Sequence, residues 1–318
     1  MKSTEKSVSV KEKVIRAVFT IAASFSVLAL LTITVFLFAN GLPFIFRHWD
    51  SFWGTEWNLF ATPAEYGILP MIVATILVTL LSVAIGVSVG LMTAICLYRL
   101  FPKKLVTPVS HMVNLLAGIP SVIYGLFGMV IFVPFVRDYL SPNGVGAGIL
   151  TASLVLSIMI LPTVVSVSLD SLKAVPTGYY EGGLALGATK EQTTFRVLVP
   201  AAKNGIFAGV VLATGRALGE TMAVVMVIGN SPDMPKSLFQ SVRTLTANIA
   251  LGAMELSEEH TEALIATGVV LFVFTLLINI VFNVIREGKR EKKQTPRKDK
   301  KTTADTQKAG EGVTDAKE

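Results

Sequence analysis

Apolar runs separated by polar stretches set the plan of the chain. Residues 17–39 carry no charge over 23 positions, and a helix needs about 20 apolar residues to cross a hydrocarbon core. The run exceeds the apolar core of a signal peptide and no small-x-small cleavage site follows it, so it is read as an uncleaved first span. Residues 40–66 are polar, with Trp49, Trp53 and Trp57 suited to an interfacial belt. Uncharged runs recur at 67–98, at 105–136 and at 147–169. A fifth apolar run, 205–229, holds two charges, and a sixth covers 263–285. Between them lie a short Gly/Pro/Asn turn at 137–146, a long polar loop at 170–204 and an acidic loop at 231–262. The pattern predicts an all-α integral membrane protein with six transmembrane helices.

Composition agrees. Only 16% of residues are charged and 52% are hydrophobic, where a soluble domain carries about 25% charged. The net charge of +6 is not a nucleic-acid signal, because most of the basic residues sit in the tails and two loops. The N-terminal tail 1–16, the loops at 99–104 and 170–204 and the tail 286–318 hold 23 Lys and Arg; the opposite loops hold four. The positive-inside rule then puts both termini in the cytoplasm, as an even number of spans requires. The basic tail 286–318 has almost no large apolar residues and is expected to be disordered and solvated, with anionic lipid as an alternative surface. Cys96 is the one cysteine, and His48, His111 and His260 have no ligand spacing. No metal site, catalytic residue or cofactor is expected on this chain.

Three segments carry candidate chemistry. In the loop, Thr177 follows Pro176 and can cap a helix through Tyr179, Tyr180, Glu181 and Leu186, with Glu181 near its positive end and Gly187 as its stop. Thr189 with Gln192 fits a capping box for a second helix ending before Pro200. The small residues Gly182, Gly183, Ala185 and Gly187 would let another surface approach closely. In the third run, Leu115–Gly125 mixes Gly118 and Pro120 with the hydroxyls of Ser121 and Tyr124. A break at membrane depth is tolerated against protein or a polar cavity, which places this segment beside a pathway. In the fifth run, Arg216 and Glu220 are four residues apart, so on one helix they share a face and can pair. Two readings stand together: Arg216 meets an anion in transit while Glu220 holds or releases it, or the two form a buried pair that fixes register or closes a gate. Gly86 with Gly90, and Gly215 with Gly219, are G-x-x-x-G pairs permitting close helix approach.

The loop's intervals, Glu181-Gly182-Gly183, three residues, Gly187, nine residues, Val197-x-Val199-Pro200, resemble the EAA loop of ABC importer permeases. Both alanines of that pattern are glycine here, and valine stands for Ile and Leu. The run Gly215-Arg216-Ala217-Leu218-Gly219-Glu220-Thr221-Met222-Ala223-Val224, with Leu115–Gly125, resembles the C-type permease subunits of Pst phosphate importers over about residues 65–285. The resemblance implies a type I ABC importer permease fold with an ATPase-coupling loop at 172–204. Tyr180, Glu181, Gly182, Gly183, Gly187 and Pro200 would belong to that loop. Arg216, Glu220, Thr221, Ser121 and Tyr124 would belong to the anion path or gate. Implied partners are an A-type permease as heterodimer, a cytoplasmic ABC ATPase dimer, an extracytoplasmic phosphate-binding protein and phosphate, in a bacterial plasma membrane. The sequence holds no G-x-x-x-x-G-K-[ST], so ATP hydrolysis would fall to another chain. The alternatives are a secondary anion porter with Glu220 as its proton site, the sister A-type subunit, and a sensor or scaffold subunit that conducts nothing.

Overall fold

The computed structural model describes residues 10–59, 61–253 and 258–291. Its residues 1–279 form one compact unit and 280–318 a second. Among the described residues six helices are long and apolar enough to cross a membrane: Glu12–Arg47, Leu69–Leu100, Ser121–Leu140, Ile149–Lys173, Lys190–Gly219 and His260–Val284. The number matches the sequence pattern; several boundaries do not.

Helix α1 (Val10–Arg47) extends beyond both ends of the predicted span, so residues 10–16 of the expected tail are helical. Residues 1–9 lie outside the described residues. Phe19, Ile21, Phe25 and Leu28 are exposed, an apolar face that bilayer or another chain must cover. After α2 (Trp49–Phe52), a hairpin pairs β1 (Trp57–Asn58) with β2 (Glu65–Tyr66). Trp57 does not sit in an interfacial belt. It is 8% exposed and packs edge-on against Tyr66 in a core with Phe44 and Phe52. The hairpin turns the indole inward, which single-residue hydropathy cannot register.

The centre is α3 (Leu69–Ile95) against α7 (Ile149–Lys173). A Cβ on Gly86 would stand 2.7 Å from the Ile160 side chain and 2.9 Å from Ser157 O, and one on Gly90 would stand 2.8 Å from Val164 Cγ1. This G-x-x-x-G pair therefore brings two backbones together, as its spacing predicts. A π-helical turn, Cys96–Leu100, ends the α3 span.

The run 105–136 is two helices, not one interrupted span. Helix α4 (Lys103–Ala117) lays Val106, Val109 and Val113 against Ala94, Leu97 and Val165. The chain then breaks at Gly118, Ile119 and Pro120, because a residue before proline is forced out of the helical region. Helix α5 (Ser121–Phe127), a π turn (Gly128–Phe132), α6 (Val133–Phe135) and a second π turn (Val136–Leu140) complete the span.

After α7 come α8 (Thr177–Ala185) and α9 (Lys190–Thr193), a π turn (Thr194–Leu198) and α10 (Val199–Gly219). The expected stop before Pro200 is absent. Pro200 sits in the first turn of α10, directly after the π turn, where its missing N–H is tolerated. The fifth span is thus a helix from Lys190 to Gly219, followed by a separate α11 (Met222–Val227). The loop read as merely acidic contains α12 (Leu245–Gly252), whose Leu245, Thr246, Ala247 and Asn248 are buried. Helix α13 (Glu258–Glu291) follows. Its first part packs on α1 through Phe38 and Phe272, 5.7 Å apart, and through the Arg47–Glu262 ion pair at 3.5 Å. Residues 286–291 of the expected disordered tail are helical, and 292–318 lie outside the described residues.

Candidate functional site

The loop between α7 and α10 is built by local rules. Pro176 caps α8, so Thr177 is its first helical residue rather than its cap, and Glu181 lies mid-helix rather than at the positive end. Gly187 has φ +82°, and the Gly187 and Ala188 N–H groups donate to Leu184 O and Gly183 O, which closes the helix as a Schellman turn. Thr189 Oγ accepts the Gln192 N–H at 3.2 Å, and Gln192 Oε1 accepts the Thr189 N–H at 3.1 Å, the expected capping box. A Cβ on Gly183 would meet the Thr193 side chain at 2.6 Å, so this glycine lets α8 fold onto α9. Gly182 meets nothing within 4 Å. Tyr179, Glu181, Gly182, Leu184 and Ala185 are exposed, and Leu186 is 90% exposed. One side chain ties α8 inward: the Arg99 guanidinium sits 4.4 Å from the centre of the Tyr180 ring, beside the end of α3.

The second feature is the gap between α10 and α11. Arg216 lies in the last turn of α10. Glu220 has φ −72° but ψ 130°, so the helix stops and restarts at Met222. The gap lies within the length of α7: Gly209 of α10 faces Val167, while Val227 O, at the far end of α11, accepts the Gly148 N–H. Arg216 and Glu220 therefore do not share a continuous helix face, and the expected pairing is not made. Among the described residues no ion pair within 4.0 Å includes Arg216. Glu220 is engaged otherwise, its Oε1 accepting the Ala223 N–H at 3.1 Å as a cap on α11. Such a cap competes with helix continuation in the way short acidic side chains do at helix starts. Gly215 and Gly219 weaken the helix here by about 1 kcal/mol each relative to alanine. Two carbonyls at the break are met: Glu220 O accepts the Thr246 hydroxyl at 3.0 Å, and Gly219 O accepts the Thr221 hydroxyl at 3.4 Å.

Helix α5 closes on this gap. A Cβ on Gly125 would lie 2.7 Å from Met226 Sδ and 2.9 Å from Ala223 Cα. Tyr124 is buried and donates to Leu116 O at 2.7 Å across the Gly118–Pro120 break. Two interrupted segments, widely separated in sequence, thus meet through the packing of α5 on α11. Ser121 opens α5, half-buried, one turn before Tyr124. Pro200 lies at the other end of α10, about 24 Å from Arg216 by helical rise. By contrast with Gly86 and Gly90, Gly215 and Gly219 meet nothing within 4 Å.

The sequence reading missed Thr246, Arg243, Asn248 and Arg99. A signal for α12 was present: Thr244 caps it by accepting the Ala247 N–H at 3.2 Å, and Gly252 ends it. The helix is too short to register as a span and lies among acidic residues.

Comparison with known proteins identifies the architecture. Residues 86–290 match the model of a family described as "Binding-protein-dependent transport system inner membrane component". The chain belongs to that permease family. Among its relatives, the "Probable ABC transporter permease protein YqgH" of Bacillus subtilis is 37% identical, over 86% of this chain and 91% of that one. The "Phosphate transport system permease protein PstC" of Mesorhizobium japonicum is 37% identical, over 81% and 84%. A "Probable phosphate transport system permease protein PstC" of Methanocaldococcus jannaschii is 34% identical, over 83% and 90%. Among solved structures, a bacterial alginate ABC transporter chain superposes with a TM-score of 0.64 at 17% identity, covering 86% of this chain and 94% of that one. A chain of the MetNI methionine ABC transporter, in an inward-facing form, gives 0.57 at 22%, covering 70% and 95%. The fold is that of type I ABC importer permeases. The permease is a multi-pass inner-membrane transport component of a family that implies a substrate-binding protein and an ATPase as partners, which removes the secondary-porter alternative.

Proposed function

We propose that this permease is the C-type membrane subunit of an ATP-driven phosphate importer. Relatives named as phosphate transport permeases, 34–37% identical over most of both chains, carry the substrate class. The observation that carries the site is Arg216, a cation beside a broken helix with no ion pair among the described residues. An arginine at membrane depth is costly and marks a pathway, and its planar fork matches a tetrahedral oxyanion with two parallel hydrogen bonds. Glu220 and Thr221 follow it at the break, and Tyr124 and Ser121 belong to α5, the helix packed against α11.

An ATPase on a partner chain supplies the energy, and α8 is its docking element. The exposed Tyr179, Glu181, Gly182 and Leu186 face away from the bundle, which supports this reading. Displacement of α8 reaches α3 through Tyr180 and Arg99, and reaches Arg216 through the helix Lys190–Gly219. The second permease is the A-type subunit. The open Gly215–Gly219 face and the bare apolar length of α1 are the surfaces it would meet. The extracytoplasmic binding protein selects phosphate before it reaches the membrane. Both termini lie in the cytoplasm, as the basic residues imply.

Solubilising membranes and purifying the tagged chain tests the assembly. An ATPase and a second, non-identical permease should elute with it. Recovery of the chain alone, or as a homodimer without ATPase, would sink the proposal.

A further inference from the structure

The segment from Ser241 to Asn248 holds both ends of α11. At the far end, Gly229 and Asn230 both have positive φ, +88° and +64°. The Asn230 amide donates to Val225 O at 2.8 Å, and Asn230 O accepts Arg243 Nε at 2.9 Å. The Val242 N–H donates to Ile228 O at 3.2 Å, and the Ser231 N–H to Ser241 Oγ at 3.2 Å. At the near end, the Thr246 hydroxyl donates to Glu220 O. Arg243 Nη1 also donates to Asn248 Oδ1 at 3.3 Å, which ties the first turn of α12 into the same network. The arrangement is not fully satisfied. Asn248 is 1% exposed, yet its Nδ2 has no partner, and neither does Asn230 Oδ1. Buried polar groups are rarely left unpaired, so the network has room for an alternative pairing.

The alternative is written in the torsions. Glu220 φ is already helical at −72°, and Thr221 is in the right-handed helical region. Two torsions, Glu220 ψ at 130° and Thr221 φ at −117°, separate α10 from α11, and among the described residues nothing lies within 4 Å of a Cβ placed on Gly215 or Gly219. In a rejoined helix Arg216 and Glu220 stand at i and i+4 and pair. We propose that Arg243 and Thr246 are positioning residues of an anion switch. With the clamp made, α11 is held apart, Glu220 caps it, and Arg216 is left for a phosphate. With the clamp released, the helices join and Glu220 neutralises Arg216, expelling the anion. The switch rests on the anion-path reading of Arg216.

The test uses the assembled importer in vesicles with saturating binding protein, ATP inside and phosphate outside. In a Cys96→Ser chain, Ser231→Cys and Ser241→Cys are introduced together and oxidised. The expected result is bridge formation, at least a tenfold fall in ATP-driven uptake, and recovery on reduction, while either single variant transports normally. A purely structural contact would only be made firmer by the bridge, so a bridged chain that transports at the unbridged rate overturns the proposal. Failure of the two cysteines to bridge overturns it as well. Thr246→Val should slow maximal uptake about two- to tenfold, the range a lost hydrogen bond supports, and Thr246→Ser should restore it. Serine as slow as valine, or valine as fast as wild type, counts against the clamp. Absence of ATP-driven phosphate uptake by the wild-type chain would instead refute the function, while bridging still reports on the clamp.

Discussion

Gly125→Ala should separate α5 from α11 and so disturb the site without touching a charge. The added methyl would stand 2.7 Å from Met226 Sδ and 2.9 Å from Ala223 Cα. Met226 can rotate away, because an unbranched thioether adapts, but the Ala223 Cα belongs to the backbone of α11. Carbon–carbon contacts settle at about 3.5–4.0 Å, so α5 must retreat by roughly 0.6 Å or more. Overpacking of this kind costs about 1–3 kcal/mol. At about 2–4 °C per kcal/mol for a domain of this size, the melting temperature of the purified permease should fall by roughly 2–12 °C. Tyr124, the preceding residue, moves with α5, so ATP-driven uptake should fall in the surviving folded protein. Thermal unfolding of purified protein and uptake by the reconstituted importer measure the two effects. A variant that melts and transports like wild type would mean that α5 does not lie against α11, and the grouping of Tyr124 with Arg216 would fail with it.

Gly219→Ala is the counterpart. Among the described residues nothing lies within 4 Å of its Cβ, and alanine favours the helix, so the isolated permease should melt no lower than before, whereas co-purification with a second permease should drop if that face is the subunit contact. Unimpaired assembly would remove the face from the interface. Thr189→Ala removes the capping box, worth about 0.5–2 kcal/mol locally. Hydrogen exchange should quicken over 189–193 while α3 and α7 hold, and exchange as slow as wild type would contradict the cap. In the hairpin, a hydrogen bond with the Glu56 side chain, then desolvation and the Glu56 charge, hold the Glu65 carboxyl above its ordinary range. The folded hairpin binds that proton more tightly than the unfolded chain, so this contribution is full below the ordinary glutamate value and is lost as pH rises through the raised one. Exchange at 57–66, corrected for intrinsic rate, should therefore quicken over that interval, and Glu65→Gln should remove the dependence.

Much of this architecture is legible in the sequence because the bilayer imposes simple rules. Length and absence of charge mark the spans, and Gly187 and the Thr189–Gln192 box mark the loop through backbone requirements that act within a few residues. The failures share a cause. Whether 205–229 is one helix turns on whether Glu220 pairs with Arg216 or caps Ala223, and the open carbonyl of the capped form is met by Thr246, 26 residues away. Trp57 turns inward because Tyr66 and Phe44 wait there, not because of its neighbours in sequence. Pro200 reads as a stop, yet the π turn before it lets the helix run on. Helix α12 has a local cap signal at Thr244, but its burial comes from α3, where Thr75 Oγ accepts the Leu245 N–H at 3.1 Å. Local signals carried local structure; the site itself is made by long-range contacts.

The central claim is that Arg216 receives phosphate moved by a partner ATPase. ATP-driven phosphate uptake by the reconstituted importer, compared between wild type and Arg216→Gln at equal assembly, tests it most directly. Losing one member of a buried charged hydrogen-bonded pair costs at least about 2 kcal/mol, so uptake should fall by about thirtyfold or more while the complex stays intact. Uptake by Arg216→Gln at the wild-type rate, or wild-type uptake that proceeds without ATP, would contradict the account.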